Sequence, residues 1–128
     1  MLDTSPLTAA VERFADRLRA APQSRLRQGA AEAALELARE LSVRAQRLEH
    51  AAVGGGDGEG AAPARRMPDA GMFVVGDQVA VAGVDLAEAL RAAGAVGAVT
   101  GPDGAKAPSV MLDEAVRLVE QAEVRAMR

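Results

Sequence analysis

The stretch Met72-Phe-Val-Val-Gly-Asp-Gln-Val-Ala-Val-Ala82 decides which fold the sequence predicts. Valines lie on both sides of Gly76-Asp77. A Gly-X pair between two β-branched runs is the signature of a type II′ hairpin, because glycine supplies positive φ at the first central position. Residues 72–75 and 78–82 are therefore predicted as paired strands. Met72, Val74, Val79 and Val81 share one face of that ribbon, and Phe73, Val75, Gln78, Ala80 and Ala82 the other. A lone two-stranded ribbon is marginal in water, so its apolar face needs a helix or a partner. Asp69-Ala70-Gly71 and Gly76-Asp77-Gln78 place polar groups at its two ends, where they suit a small pocket or an intersubunit arm.

Upstream, the apolar spacing is helical. Leu7, Ala10, Val11, Phe14, Leu18 and Ala21 recur at threes and fours, which predicts a helix over 6–21 capped by Thr4 or Ser5, with Pro6 in its first turn. Pro22 ends it. A longer helix is predicted over 24–52, with Ser24 as cap and a seam of Ala30, Ala34, Leu37, Leu41 and Leu48 broken by Arg44. The two are expected to form an antiparallel helical hairpin, 6–52. Val53 to Arg66, with its glycine run, reads as a disordered linker.

Downstream of the ribbon, Asp85 and Glu88 read as a capping box for a short helix over 86–93, which Gly94 stops. Val96 to Thr100 suits a short strand, and Gly101-Pro-Asp-Gly104 a turn. The last helix is predicted over 110–127, capped by Ser109, with a stripe of Met111, Leu112, Ala115, Val116, Leu118, Val119 and Ala122. The expected fold is thus α+β and mainly α: helical hairpin, linker 53–66, β-hairpin and two further helices, with a β-hairpin/helix part at 72–127. The whole is expected to be one domain of 128 residues.

Composition narrows the function. The chain is 49% hydrophobic, yet alanine dominates that share, and it holds two Phe, no Trp, no Tyr and no Cys. Disulfides and thiolate metal sites are excluded. Alanine buries little area, so one copy is expected to have a thin core and to gain stability by pairing with a second. The net charge of −3 and the lack of a basic block argue against nucleic acid, and no apolar run is long enough to span a membrane.

Candidate chemistry is sparse. Glu32, Glu36 and Glu40 share a helix face, a spacing that holds Mg²⁺ in helical phosphohydrolases, with Asp113 and Glu114 as added ligands. The competing reading is a solvated face on which Arg39 and Arg44 pair with them. His50 is the only histidine, and none of Ser5, Ser24, Ser42 and Ser109 lies in a G-x-S-x-G context. Gly54 to Gly60 lacks the Lys and Ser/Thr of a phosphate loop. Arg13, Arg17, Arg19, Arg25 and Arg27 crowd the first interhelical turn, beside Glu12 and Asp16. The sequence therefore predicts a cytoplasmic, non-enzymatic interaction or regulatory module without cofactor. It would act as a homodimer, or on a protein partner, through Leu37, Leu41, Leu48, Leu112, Val116 and Val119. The alternative is metal-dependent phosphoester or nucleotide hydrolysis on Glu32, Glu36 and Glu40.

Overall fold

The computed structural model describes residues 2–52, 65–95 and 107–128. Among them the regular structure is entirely helical. The long elements are α1 (Ser5–Ala20), α2 (Ala31–Ala52), α3 (Val75–Ala95) and α4 (Pro108–Ala126). A helical turn at Gln23–Arg25 leads through a kink at Leu26–Ala30 into α2.

The predicted β-hairpin is absent. Residues 75–95 form one helix, so the supposed turn, the second strand and the separate short helix are consecutive turns of α3, and residues 72–74 of the first strand are a turn that leads into it. A short valine run fits both periods, and the longer window settles it. Val75, Val79, Ala82, Leu86 and Leu90 are buried at spacings of three and four that pass straight through the supposed turn. Asp77 lies in the first turn, where the helix dipole favours it. Asp85 is an exposed mid-helix residue and no cap, and Gly94 lies inside α3.

Glycine enters α3 for a reason other than a turn. A Cβ built on Gly83 would stand 2.6 Å from Val11 Cγ1, and one on Gly76 3.1 Å from the Ala15 carbonyl oxygen. These positions let α3 approach α1 closely. The two helices run antiparallel. Arg19 at the end of α1 pairs with Asp77 at the start of α3 (2.7 Å), and Arg91 near the end of α3 donates to the Thr4 hydroxyl (2.7 Å).

The helical hairpin expected of the first two helices also fails. α1 packs on α3 and α4, α2 packs on the same two helices, and α1 and α2 lie across the bundle from each other. Val75 shares a groove with Leu26, Ala31 and Leu35, while Asp85 shares one with Ser42 and Gln46, so α2 and α3 run parallel. Arg44 pairs with Glu114 (3.2 Å) and Arg125 with Glu36 (3.1 Å), so α4 runs against α2. The order is up, down, down, up, the class of bundle that needs one long crossover.

Local punctuation is partly as predicted. Pro6 does lie in the first turn of α1, but Ser5 is already inside the helix and the Thr4 side chain makes no capping bond. Asp3 serves instead, accepting from the Ser5 amide (3.0 Å) and the Ser5 hydroxyl. Those bonds, the hydroxyl first, hold the Asp3 carboxyl below its usual range. α4 begins with Pro108 behind Ala107, so Ser109 is within the helix and does not cap it. The single helix predicted over 24–52 is broken at Gly29, whose φ of 122° is outside helical geometry. The predicted strand at 96–100, the turn at 101–104 and most of the predicted linker (53–64) lie outside the described residues.

The core centres on Phe14, Leu7, Leu41, Leu86 and Leu90, filled in by alanines such as Ala34, Ala38 and Ala115. Gly83→Ala is expected to lower stability by about 1–2 kcal/mol. Overpacking against Val11 outweighs the roughly 1 kcal/mol of helix propensity gained. In a Val11→Ala background, where only the Cβ contact at 3.0 Å remains, the same change is expected to cost less. Urea-unfolding midpoints of the four proteins check the difference.

Candidate functional site

The chain's return toward α3 frames a surface groove. From Arg65 the chain returns along α2, against its direction, as an extended strap ending at the turn Met72–Val74. Three side chains clip it to the helices. Gln46 acts as a strand partner would: its Oε1 accepts from the Arg65 amide (2.6 Å) and its Nε2 donates to the Arg65 carbonyl (2.8 Å). Arg39 Nε donates to the Met67 carbonyl (2.9 Å), and Gln78 Nε2 to the Pro68 carbonyl (2.8 Å). Asp69 then accepts from the Gly71 amide (3.0 Å), turning the chain toward α3 with Gly71 at φ 102°.

Between strap, kink and helices lies a groove of about 580 Å³. Leu26, Ala31, Leu35, Met72 and Val75 give it an apolar floor, and Glu32, Arg39 and Asp69 bring charge to its edge. An apolar cleft with a few polar groups is the general form of a binding site. Of the two polar ends read around the supposed hairpin, Asp69-Ala70-Gly71 does reach this groove, and Asp77 instead pairs with Arg19.

Phe73 stands beside it. It is 74% exposed, whereas Phe14, the other aromatic, is fully buried. Its neighbours Met72 and Val75 line the groove. Sequence reasoning missed Phe73 because it spread residues 72–82 over two faces of a ribbon. The available signal was that Phe73 falls outside the buried series that starts at Val75.

The carboxylates of the hydrolase reading do not converge. Glu40 pairs with Arg44 (2.7 Å), Glu36 with Arg125 (3.1 Å), and Glu32 is exposed at the groove. Arg44 also reaches Glu114. Burial weighs most against the Arg44 charge, but its hydrogen bonds to Glu40 and then Glu114 outweigh that and raise its pKa. Asp113 is exposed on α4. Among the described residues no group of three or more His, Asp or Glu is placed to hold a metal ion.

The arginines of the first interhelical turn are largely engaged. Arg13 (3.3 Å) and Arg17 (3.1 Å) share Glu123, whose side chain is 9% exposed. Arg19 bridges Asp16 and Asp77, and Arg25 donates to the Arg128 carbonyl (2.8 Å). Glu123 was also missed. It sits in the buried stripe of α4 beside Ala122, where a carboxylate needs a cation from another helix. A second groove, about 410 Å³, holds Arg25, Arg125 and Arg128 against Glu32 and Glu36, with little net charge to attract an ion. His50 lies in the last turn of α2, and its Nε2 is buried without a hydrogen-bond partner among the described residues. The glycine run at 54–60 lies outside the described residues.

The six residues expected at a helical seam are largely interior. Leu37, Leu41, Leu112 and Val119 are buried in this chain's own core, and Leu48 and Val116 are packed against it. No protein-family profile, no curated protein and no solved structure matches this chain. No helix among the described residues is long and apolar enough to cross a membrane.

Two outcomes follow from this placement. Leu41→Asp buries an unpaired charge at a fully enclosed site, which costs more than about 4 kcal/mol. Circular dichroism is expected to show loss of helix; a mere drop in mass with helix retained would return Leu41 to an interface. Millimolar Mg²⁺ is expected to leave the melting midpoint unchanged, and a rise would revive the carboxylate site.

Proposed function

We propose that the chain is a small, non-catalytic interaction or regulatory module that acts as a homodimer. The observation that carries this reading is Phe73, exposed beside an apolar groove on a bundle whose other large aromatic and leucine side chains are packed inward. Isolated surface valines need no explanation, but an aromatic at the mouth of an apolar cleft is the anatomy of an interaction hot spot. The reading keeps the cytoplasmic placement expected from the sequence.

The geometry favours binding over the hydrolytic alternative. A metal-dependent site needs carboxylates free to share an ion, and here Glu36 and Glu40 each face an arginine instead. The proposed contact surface moves from the leucine seam to the groove end of the bundle, because the seam is spent on the chain's own core.

Magnitudes set the expected strength. Fully burying a Phe side chain contributes roughly 1.5–3 kcal/mol. A micromolar dimer needs about 8 kcal/mol. Two phenylalanines supply part of that, and Met72, Val74 and the strap must supply the rest. Sedimentation equilibrium over the micromolar range is therefore expected to show a reversible monomer–dimer transition. A mass of one chain throughout contradicts the proposal.

A further inference from the structure

We propose that Phe73 of each copy seats in the groove under the strap of the other, against Leu35, Met72 and Val75. The inference rests on the homodimer reading and gives it a geometry.

Adjacency points to this exchange. Phe73 does not occupy its own groove, since it is 74% exposed, yet Met72 and Val75 on either side of it line that groove. Knob and hole thus sit within three residues of each other. A two-fold axis brings the same patch of each copy face to face, so that residue i meets j while j meets i. An aromatic knob next to an apolar hole is self-complementary under that operation: each ring enters the hole of the other chain.

Charge agrees with it. Around the groove both signs are present: Glu32 and Asp69 lie at its edge with Arg39, Arg27 follows the groove residue Leu26, and Arg66 is exposed on the strap. A mixed rim can be matched by its own two-fold copy. Of the other exposed valines, Val110 and Val124 lie far apart at opposite ends of α4, and Val81 and Val84 on α3 have Asp85 and Glu88 around them. Two such acidic strips repel, which removes that face as the self-contact.

Area sets how far the contact extends. An aromatic side chain buries about 150–250 Å², and a stable interface buries about 1,200 Å² or more. The rings therefore act as anchors, and the contact must extend over Val74 and the strap. Because every interface holds two Phe73 anchors, one substitution is felt twice.

The lack of native Trp and Tyr gives a direct test. In Phe73→Trp the new indole is the only strong fluorophore in the full chain. Its emission is expected to be solvent-like in dilute solution and to shift to shorter wavelength as concentration rises, in step with dimer mass from sedimentation. Leu35→Gln, placed in the same protein, is expected to abolish the shift. Phe73→Ala, at an exposed site, is expected to keep the helix content and melt as a monomer while raising the dimer Kd about a hundredfold. A dimer that Phe73→Ala leaves intact, with the indole still solvent-like, overturns this inference and spares the homodimer reading. A monomer at every concentration overturns both. An indole shift without a change in mass assigns Phe73 to its own chain and overturns the exchange.

Discussion

Val11 packs against the bare backbone of Gly83, and the arrangement of the bundle depends on that contact. A side chain at Gly83 would meet Val11 at 2.6 Å, so α1 and α3 sit closer than two ordinary helices could. Glycine within a helix costs about 1 kcal/mol relative to alanine, and the close packing offsets it. With Arg19–Asp77 at one end and Arg91–Thr4 at the other, the contact fixes α3 antiparallel to α1. α2 then runs parallel to α3, and parallel neighbours cannot be joined by a short turn. The returning strap is the result, and the groove is the space that strap, kink and helices enclose. The candidate site is thus a consequence of how two helices pack on the far side of the same element.

Side chains hold the strap from Arg65 onward in place. Gln46 gives the strap both a donor and an acceptor, as a neighbouring strand would, and Arg39 and Gln78 each take a carbonyl. At the end of α4, Arg13 and Arg17 converge on Glu123, a nearly buried carboxylate that would otherwise be costly. Much of the charged sequence that suggested metal or phosphate chemistry is engaged in such internal ties. Phe73 stands out because it remains 74% exposed while Phe14 is fully buried.

How much of this was legible depended on the length of the pattern. α1 and α4 were readable because six or seven apolar residues in each keep one helical phase, and the structure buries Leu7, Val11, Phe14 and Leu18 and then Leu112, Ala115 and Val119. Residues 72–82 were misread because valine at alternate positions beside Gly-Asp satisfies the hairpin rule locally. The phase continuing through Gly83 to Leu90 becomes visible only over the whole of 75–95. Topology was harder still, since nothing local tells that α1 and α2, consecutive in the chain, avoid each other. The thin core inferred from alanine was half right: alanines do line the helix contacts, but Phe14, Leu41 and Leu86 close the core within one chain. The seam residues read as apolar contacts in the sequence, and the structure packs them within one chain. The groove had no signature, because it is assembled from the kink, the strap and the first turns of two parallel helices.

The central claim is the antiparallel packing of one continuous α3 on α1, and a spin label tests it most directly. The chain has no cysteine, so Ala20→Cys, at an exposed site beside Arg19, accepts a single nitroxide. The account predicts strong broadening of the backbone amides of residues 75–80, with residues 90–95 left sharp and helical shifts throughout. Broadening centred on 90–95, or extended-strand shifts on either side of Gly76, would contradict it.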